Sequence, residues 1–265
     1  MAEILTATLV AILVWWASTG GILVVAGLTG LARRVALGLS LPLLGAAVWG
    51  FLWAADQPGT TGVYAGFAAA IAIWGWHEFT FLTGALTGPR RAPCPPGANE
   101  WLRFRCAVAA LAWHELALAA TALGLAIASW HDLNQFGLWT FLVLFFARIS
   151  AKLNVFLGVS NLSEEFIPDS LAHLKSYFRR RPMNLFFPLA VTGLTLAVGC
   201  WAERAWDAEG AADLAGYTLL TALTALALLE HWLLVLPLRD AALWDWMLPA
   251  QDARRKSTVT SDRAL

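Results

Sequence analysis

The chain has 265 residues, 59% of them hydrophobic and only 14% charged, with a formal net charge of zero. Soluble domains carry about 25% charged residues, so this chain lacks the charge to coat a water-facing surface. The absence of a basic excess argues against nucleic-acid binding. With 15 tryptophans, a residue that favours the bilayer–water interface, the composition is that of a polytopic membrane protein.

Seven apolar runs follow one another, near 4–26, 35–54, 62–84, 104–129, 135–158, 185–203 and 214–236. Each has about 20 residues, the length that spans a bilayer as a helix. The first run lacks a basic n-region and a small-residue cleavage site, so it is expected to be a retained helix rather than a signal peptide. The connections set the orientation. Arg33 and Arg34 follow the first run, whereas Asp56 stands without a basic residue after the second. Arg90, Arg91, Arg103 and Arg105 flank the third connection; His131 and Asp132 fill the fourth. Lys175, Arg179, Arg180 and Arg181 crowd the fifth, the sixth is net acidic, and the tail is basic again. Only Arg204 falls on the wrong side of this alternation. By the positive-inside rule, the expected fold is an all-α bundle of seven transmembrane helices over residues 1–240. Its N-terminus is periplasmic and its C-terminus cytoplasmic, with a cytoplasmic tail at 241–265 whose last ~15 residues are polar enough to be disordered.

Two cytoplasmic loops are more than tethers. Residues 85–101 contain the stretch Gly88 to Gly97, too rich in proline to be helical. Residues 159–184 begin with a capping-box-like Asn161-Leu162-Ser163-Glu164, then pass Pro168 into a segment placing Leu171, Leu174 and Phe178 on one helical face. That segment reads as an amphipathic helix on the inner membrane surface, or as a short helix packed on a neighbouring loop. Arg90, Arg91, Glu164, Glu165, Lys175, Arg179, Arg180 and Arg181 are the candidate partner surface. Cys94, Cys106 and Cys200 have no metal or CxxC spacing and read as free thiols.

The chemistry-bearing residues lie inside the apolar runs. Trp76-His77-Glu78 and Trp113-His114-Glu115 are two copies of one trio, and Glu230-His231-Trp232 is its reverse. Ionisable residues at membrane depth are costly and mark either a site or a paired network. At about 1.5 Å of helix rise per residue, His77 lies roughly 10 Å, and His114 and His231 roughly 12–14 Å, from the cytoplasmic rim. The fifth run adds Arg148 and Lys152, four apart and therefore on one face, then Asn154.

Four readings of this layer stay open. Glu78, Glu115, Glu230, Arg148, Lys152 and Asn154 form a structural network, because buried charges must be paired. Alternatively His77, His114 or His231 is the axial ligand of a tetrapyrrole walled by the neighbouring tryptophans. A metal centre would use His and Glu on facing helices, but adjacent residues point about 100° apart on a helix, and the Glu-x-x-His spacing is absent. A proton or solute pathway is the fourth, without the broken-helix repeat of a transporter. The seventh run holds no lysine, which removes a retinal protein. No GxSxG, P-loop or GxGxxG is present, so no catalytic residue is assigned. His131 and His173 lie outside the bilayer and read as surface residues.

The run Trp76 to Gly84, Thr87-Gly88-Pro89-Arg90 with Cys94-Pro95, Trp113-His114-Glu115-Leu116, the block Ala151 to Asn161, Glu165-Phe166 and Lys175-Ser176-Tyr177-Phe178 together resemble PuhE-type photosynthetic complex assembly proteins of purple phototrophic bacteria. The resemblance covers the chain from about residue 70 to the last helix. It implies a bacterial inner-membrane protein encoded beside the gene for the reaction-centre H subunit. Such a protein would support assembly of reaction-centre and light-harvesting complexes, or adjust the supply of bacteriochlorophyll. The implied partners are the lipid bilayer and either photosynthetic subunits or pigment-synthesis enzymes. The resemblance carries over no catalytic residues and strengthens the tetrapyrrole reading. The rival class is an intramembrane metal- or tetrapyrrole-dependent enzyme acting on a bacteriochlorophyll precursor.

Overall fold

A computed structural model describes residues 1–162, 164 and 167–238; Glu165 and the tail at 241–265 lie outside the described residues. Within them the chain is all-helical. Seven α-helices run α1 (Ala2–Ala26), α2 (Gly30–Ala55), α3 (Thr60–Leu82), α4 (Glu100–Ala128), α5 (Phe136–Leu157), α6 (Phe186–Trp206) and α7 (Ala211–Leu233). A 3₁₀ helix, Asp169–Tyr177, lies between α5 and α6. Six of the seven, all but α3, are long and apolar enough to cross a membrane, which makes this a multi-pass membrane protein.

The exception is informative. α3 packs against α1, α2, α5 and α7 and buries residues along its whole length, from Gly62 to Phe81. A helix shielded from lipid on several sides is free to carry Thr60, Thr61, His77, Glu78 and Thr80, which lower its hydropathy. The outer helices α2 and α6 bury little and are apolar nearly all round, as lipid contact requires.

Three packed clusters hold the bundle. Ala7 and Ala11 of α1 meet Val63, Phe67 and Ile71 of α3 and Leu219, Leu220 and Leu223 of α7. Phe51 of α2, Ile73 and Trp74 of α3, Leu118 of α4 and Phe141 of α5 form the second. Between them α3 and α5 cross where Gly66 faces Gly137; a Cβ on Gly137 would come within 3.0 Å of the Gly66 carbonyl. Small residues at such crossings let backbones approach, and packing contacts of this kind drive helix association in lipid.

The third cluster joins Phe81, Cys106 and Ala110 to Leu171, Leu174 and Tyr177 of the 3₁₀ helix. The amphipathic segment is thus tighter than an α-helix, and protein covers its apolar face rather than lipid. The capping-box stretch includes Ser163, which lies outside the described residues; Asn161 in turn donates its side-chain amide to the carbonyl of Leu233, the last residue of α7, at 2.9 Å and to that of Leu238 beyond it at 2.7 Å. Orphan carbonyls at a helix C-terminus need such donors.

The connection from α3 to α4 folds back against α4. The His114 amide donates to the Thr87 carbonyl at 2.8 Å, and the Arg90 amide to the Ala109 carbonyl at 3.3 Å. Irregular backbone near membrane depth is tolerated only where protein buries and satisfies it. Gly88 makes this contact possible, since a Cβ there would lie 2.1 Å from the Ala109 carbonyl oxygen. Backbone cannot swing aside as a side-chain tip can. Gly88→Ala is therefore expected to lower stability by about 2 kcal/mol or more, in the range of overpacking substitutions. Unfolding in mixed detergent–dodecyl sulfate micelles measures it, and an unchanged midpoint would refute the fold-back contact.

Candidate functional site

α5 presents Arg148 and Lys152 one turn apart, and each meets a carboxylate on a different helix. Arg148 donates twice to Glu78 of α3, Nε to Oε1 at 3.1 Å and Nη2 to Oε2 at 2.9 Å. Bidentate geometry of this kind is the strong form of an ion pair. Lys152 Nζ reaches Glu115 Oε1 of α4 at 2.6 Å. Two of the three trios are therefore joined through α5. The third acid, Glu230 of α7, accepts from Trp15 Nε1 of α1 at 3.2 Å.

The three histidines are buried, at 3%, 0% and 1% exposure for His77, His114 and His231, yet they differ in bonding. His231 Nδ1 faces the Ala227 carbonyl at 2.8 Å and Nε2 faces the Ser150 hydroxyl at 2.9 Å. A carbonyl only accepts, so Nδ1 carries the proton and Nε2 accepts from serine. His77 uses Nε2 on Thr121 Oγ1 at 3.0 Å, while its Nδ1 has no hydrogen-bond partner among the described residues. Neither ring nitrogen of His114 has one. Its Nε2 stands 4.0 Å from Glu78 Oε1, beyond hydrogen-bond reach. Its ring lies 4.5 Å from that of Phe81 and 6.5 Å from that of His77.

This geometry bears on what the layer can hold. A tetrapyrrole on any of these histidines needs an open ring nitrogen and a flat space beside it, and both nitrogens of His231 are engaged. Trp113 and Trp232 are 54% and 42% exposed, facing outward rather than walling a pocket over the histidines. Trp76 Nε1 is bound to Ser40 Oγ of α2 at 3.1 Å. Among the described residues no three His, Cys, Asp or Glu side chains converge to hold a metal ion. The two ion pairs link α3, α4 and α5 at one depth, while His77 Nδ1 and both nitrogens of His114 remain unbonded among the described residues.

Asn154 sits apart from the ion pairs. It is fully buried at the end of α5, where its side-chain oxygen accepts from Asn184 Nδ2 at 3.0 Å. Asn184 Oδ1 in turn accepts from the amides of Phe186 and Phe187 at 2.9 and 3.0 Å, starting α6. The basic loop residues are also largely engaged. Arg90 Nε donates to Tyr177 Oη at 2.8 Å and Arg91 Nη2 to the Gly84 carbonyl at 3.2 Å. Arg179 pairs with Glu100, and Arg180 pairs with Glu164 at 2.9 Å. Arg181 packs its side-chain carbons on Gly158, while Lys175 is half-buried.

The residue that charge counting overlooks is Arg103. It is 5% exposed, lies 3.7 Å over the Phe156 ring, and donates to the carbonyls of Tyr177 and Phe156 at 2.6 and 3.0 Å. It binds α4 to the end of α5 and the 3₁₀ helix together. In the sequence it is one more arginine beside a loop, with no signal separating it from Arg105. Thr121, Ser150 and Trp15, the partners of His77, His231 and Glu230, carry no motif either.

Fold and site thus define a multi-pass membrane protein in which ion pairs at membrane depth link α5 to α3 and α4. The chain matches, over residues 1–255, the family described as a protein of unknown function, DUF3623, and belongs to it. It is 48% identical over 246 residues to an uncharacterized 30.4 kDa protein in the puhA 5′ region of Rhodobacter capsulatus, covering 91% of this chain and 90% of that one. No solved structure matches.

Two stability measurements test this bonding. Arg148→Met strands Glu78 and is expected to cost about 3 kcal/mol, whereas adding Glu78→Gln to it should recover part of that loss. His231→Phe should cost about 2 kcal/mol for two lost hydrogen bonds, while His114→Phe, replacing an unbonded ring beside Phe81, should stay within about 1 kcal/mol. The same micellar unfolding assay reads both, and equal losses at the two histidines would contradict the bonding described.

Proposed function

We propose that this chain is a non-catalytic integral membrane factor supporting assembly of photosynthetic reaction-centre and light-harvesting complexes. It would cross the bacterial inner membrane seven times, N-terminus periplasmic and C-terminus cytoplasmic, and belong with the PuhE-type assembly proteins. The observation that carries the reading is the 48% identity, over nine-tenths of both chains, to a protein in the puhA 5′ region. A gene in that neighbourhood is expected to serve the complex that puhA serves.

The geometry favours a scaffold over a reaction chamber. Charged groups that would be candidate acids and bases are already bound to one another, and the histidines are enclosed by protein. The factor acts by contact with pigment-bearing subunits or with pigment-synthesis enzymes, and so adjusts bacteriochlorophyll delivery without turning over substrate. The 3₁₀ helix, Lys175 and the exposed Arg180–Glu164 pair offer the contact surface on the basic end of the bundle.

Deleting the gene in its phototrophic host and recording near-infrared absorption of the membranes tests this. Reaction-centre and light-harvesting bands should fall together, return with the wild-type gene, and return in part with His114→Ala. Unchanged bands on deletion would sink the proposal. Accumulation of a pigment precursor, with no restoration by His114→Ala, would point to an enzyme. A stoichiometric tetrapyrrole band in the purified protein, lost in His77→Ala, His114→Ala or His231→Ala, would make it a pigment carrier.

A further inference from the structure

At the basic end of the bundle the folded-back α3–α4 connection leaves a groove of about 530 Å³ against the first turns of α4. Arg90, Arg91 and Arg105 line it over Leu102, Cys106 and Ala109. Two of the three guanidinium groups are held in place. Arg90 is fixed through Nε and Nη2 by Tyr177 and the Pro93 carbonyl, and Arg91 through Nη2 by the Gly84 carbonyl. Among the described residues their remaining N–H donors are left over, and Arg105 makes no hydrogen bond or ion pair.

No carboxylate of the described residues lies within ion-pair distance of the three arginines. Positive charge with no carboxylate partner among the described residues, gathered around an open groove, suits a phosphate, whose oxygens accept several guanidinium donors. The positive field reaches His173, whose imidazole is held below its usual range by burial and then by Arg91 and Arg90.

What lies beside the groove says what carries the phosphate. Leu102, Cys106, Ala109, Trp113, Leu116, Leu123 and Ile127 recur at helical spacing and share one face of α4. Beyond the groove that face is open: Trp113, Leu116, Leu123 and Ile127 are 54%, 59%, 62% and 67% exposed. Trp101 and Phe104, stacked with ring centroids 5.9 Å apart, stand at the level of the arginines, where aromatic residues mark the interface. The head site therefore continues into an apolar track running along a membrane-spanning helix.

We propose that this groove is a binding site for an acidic phospholipid, its phosphate among Arg90, Arg91 and Arg105 and its acyl chain along the outer face of α4. Basic pockets beside transmembrane helices take anionic headgroups by this chemistry. The assignment stands independently of the assembly role, and it gives Arg90 and Arg91 to a lipid rather than to a protein partner.

Native mass spectrometry of the full chain released from nanodiscs of mixed phosphatidylglycerol and phosphatidylcholine tests it. The wild type should retain one phosphatidylglycerol in preference to phosphatidylcholine. Arg105→Gln, which breaks no internal contact, should lower that retention about tenfold, as loss of one charge-assisted contact implies. Arg91→Gln/Arg105→Gln should lower it further, and Arg34→Gln, a basic residue outside the groove, should leave it unchanged. Equal retention of the two lipids by the wild type would overturn the site even without the variants. So would unchanged selectivity in a double variant with native helix content. Release of the lipid by millimolar inorganic phosphate would reassign the groove to soluble anions and remove the acyl track.

Discussion

The bidentate contact between Arg148 and Glu78 is the constraint from which the bundle's interior follows. An arginine at bilayer depth cannot be left to lipid, so α5 must lie where α3 supplies a carboxylate. Lys152, one turn along, then forces a second meeting with Glu115, and α4 is positioned by it. Apolar side chains alone impose no such register, because lipid tails are as apolar as leucine. Dispersion holds these helices together, while the two ion pairs fix their rotation and depth. With both in place, α3 is enclosed by its neighbours, and its polar residues become affordable.

Much of this was legible in the sequence, and the limits have physical causes. Apolar runs of membrane-spanning length locate the helices to within a few residues, since a continuous twenty-residue hydrophobic stretch has few alternatives. The members of the charged layer were legible as well, because charges are rare there. Their pairing was not. Three acids and two bases permit several matchings, and only the relative rotation of helices chooses Arg148 for Glu78 and brings the indole of Trp15 to Glu230. Asn154 illustrates the same limit. Two residues beyond Lys152 sounds like membership of the layer, but Asn154 lies in the last turn of α5, and its side-chain oxygen is claimed by Asn184. In the 3₁₀ helix the apolar face was readable from Leu171 and Leu174, whereas what covers it depends on where Phe81 and Ala110 have been brought.

The basic end of the bundle obeys a different requirement, which is disposal of backbone polar groups. The carbonyls at and just beyond the end of α7 are taken by Ser160 and Asn161, those of Phe156 and Tyr177 by Arg103, and that of Thr87 by the His114 amide. A peptide group near the hydrocarbon boundary has little water to fall back on, so connections must fold against helix ends rather than loop freely outward. Gly88 and Gly158 stand where that folding is tightest. The latter has φ of +120° and the Arg181 side chain 2.9 Å from where its Cβ would lie. Positive charge left over from this work collects around the α4 groove, which explains how a loop built to satisfy backbone also brings Arg90 and Arg91 to an apolar-floored groove at the membrane rim.

The repeated Trp-His-Glu letters look like a set of equivalent ligands, and the structure gives each a different surrounding. Adjacent residues on a helix diverge by about 100°, so a trio spreads its members to three directions, and the direction given to histidine depends on which face its helix turns inward. On α7 the ring meets a serine and a carbonyl and is chemically spent. On α3 one nitrogen is spent on Thr121. On α4 the ring is pressed between Phe81 and the edge of the Glu78 pair, with both nitrogens unbonded. A shared cofactor would require convergence of like atoms, and what is found is a graded series from fully bonded to fully unbonded imidazole. That gradient makes His114 the residue at which a purely structural layer and a chemically active one part company. A neutral ring that only fills space can be replaced by phenylalanine, whereas a ring that ligates or transfers a proton cannot.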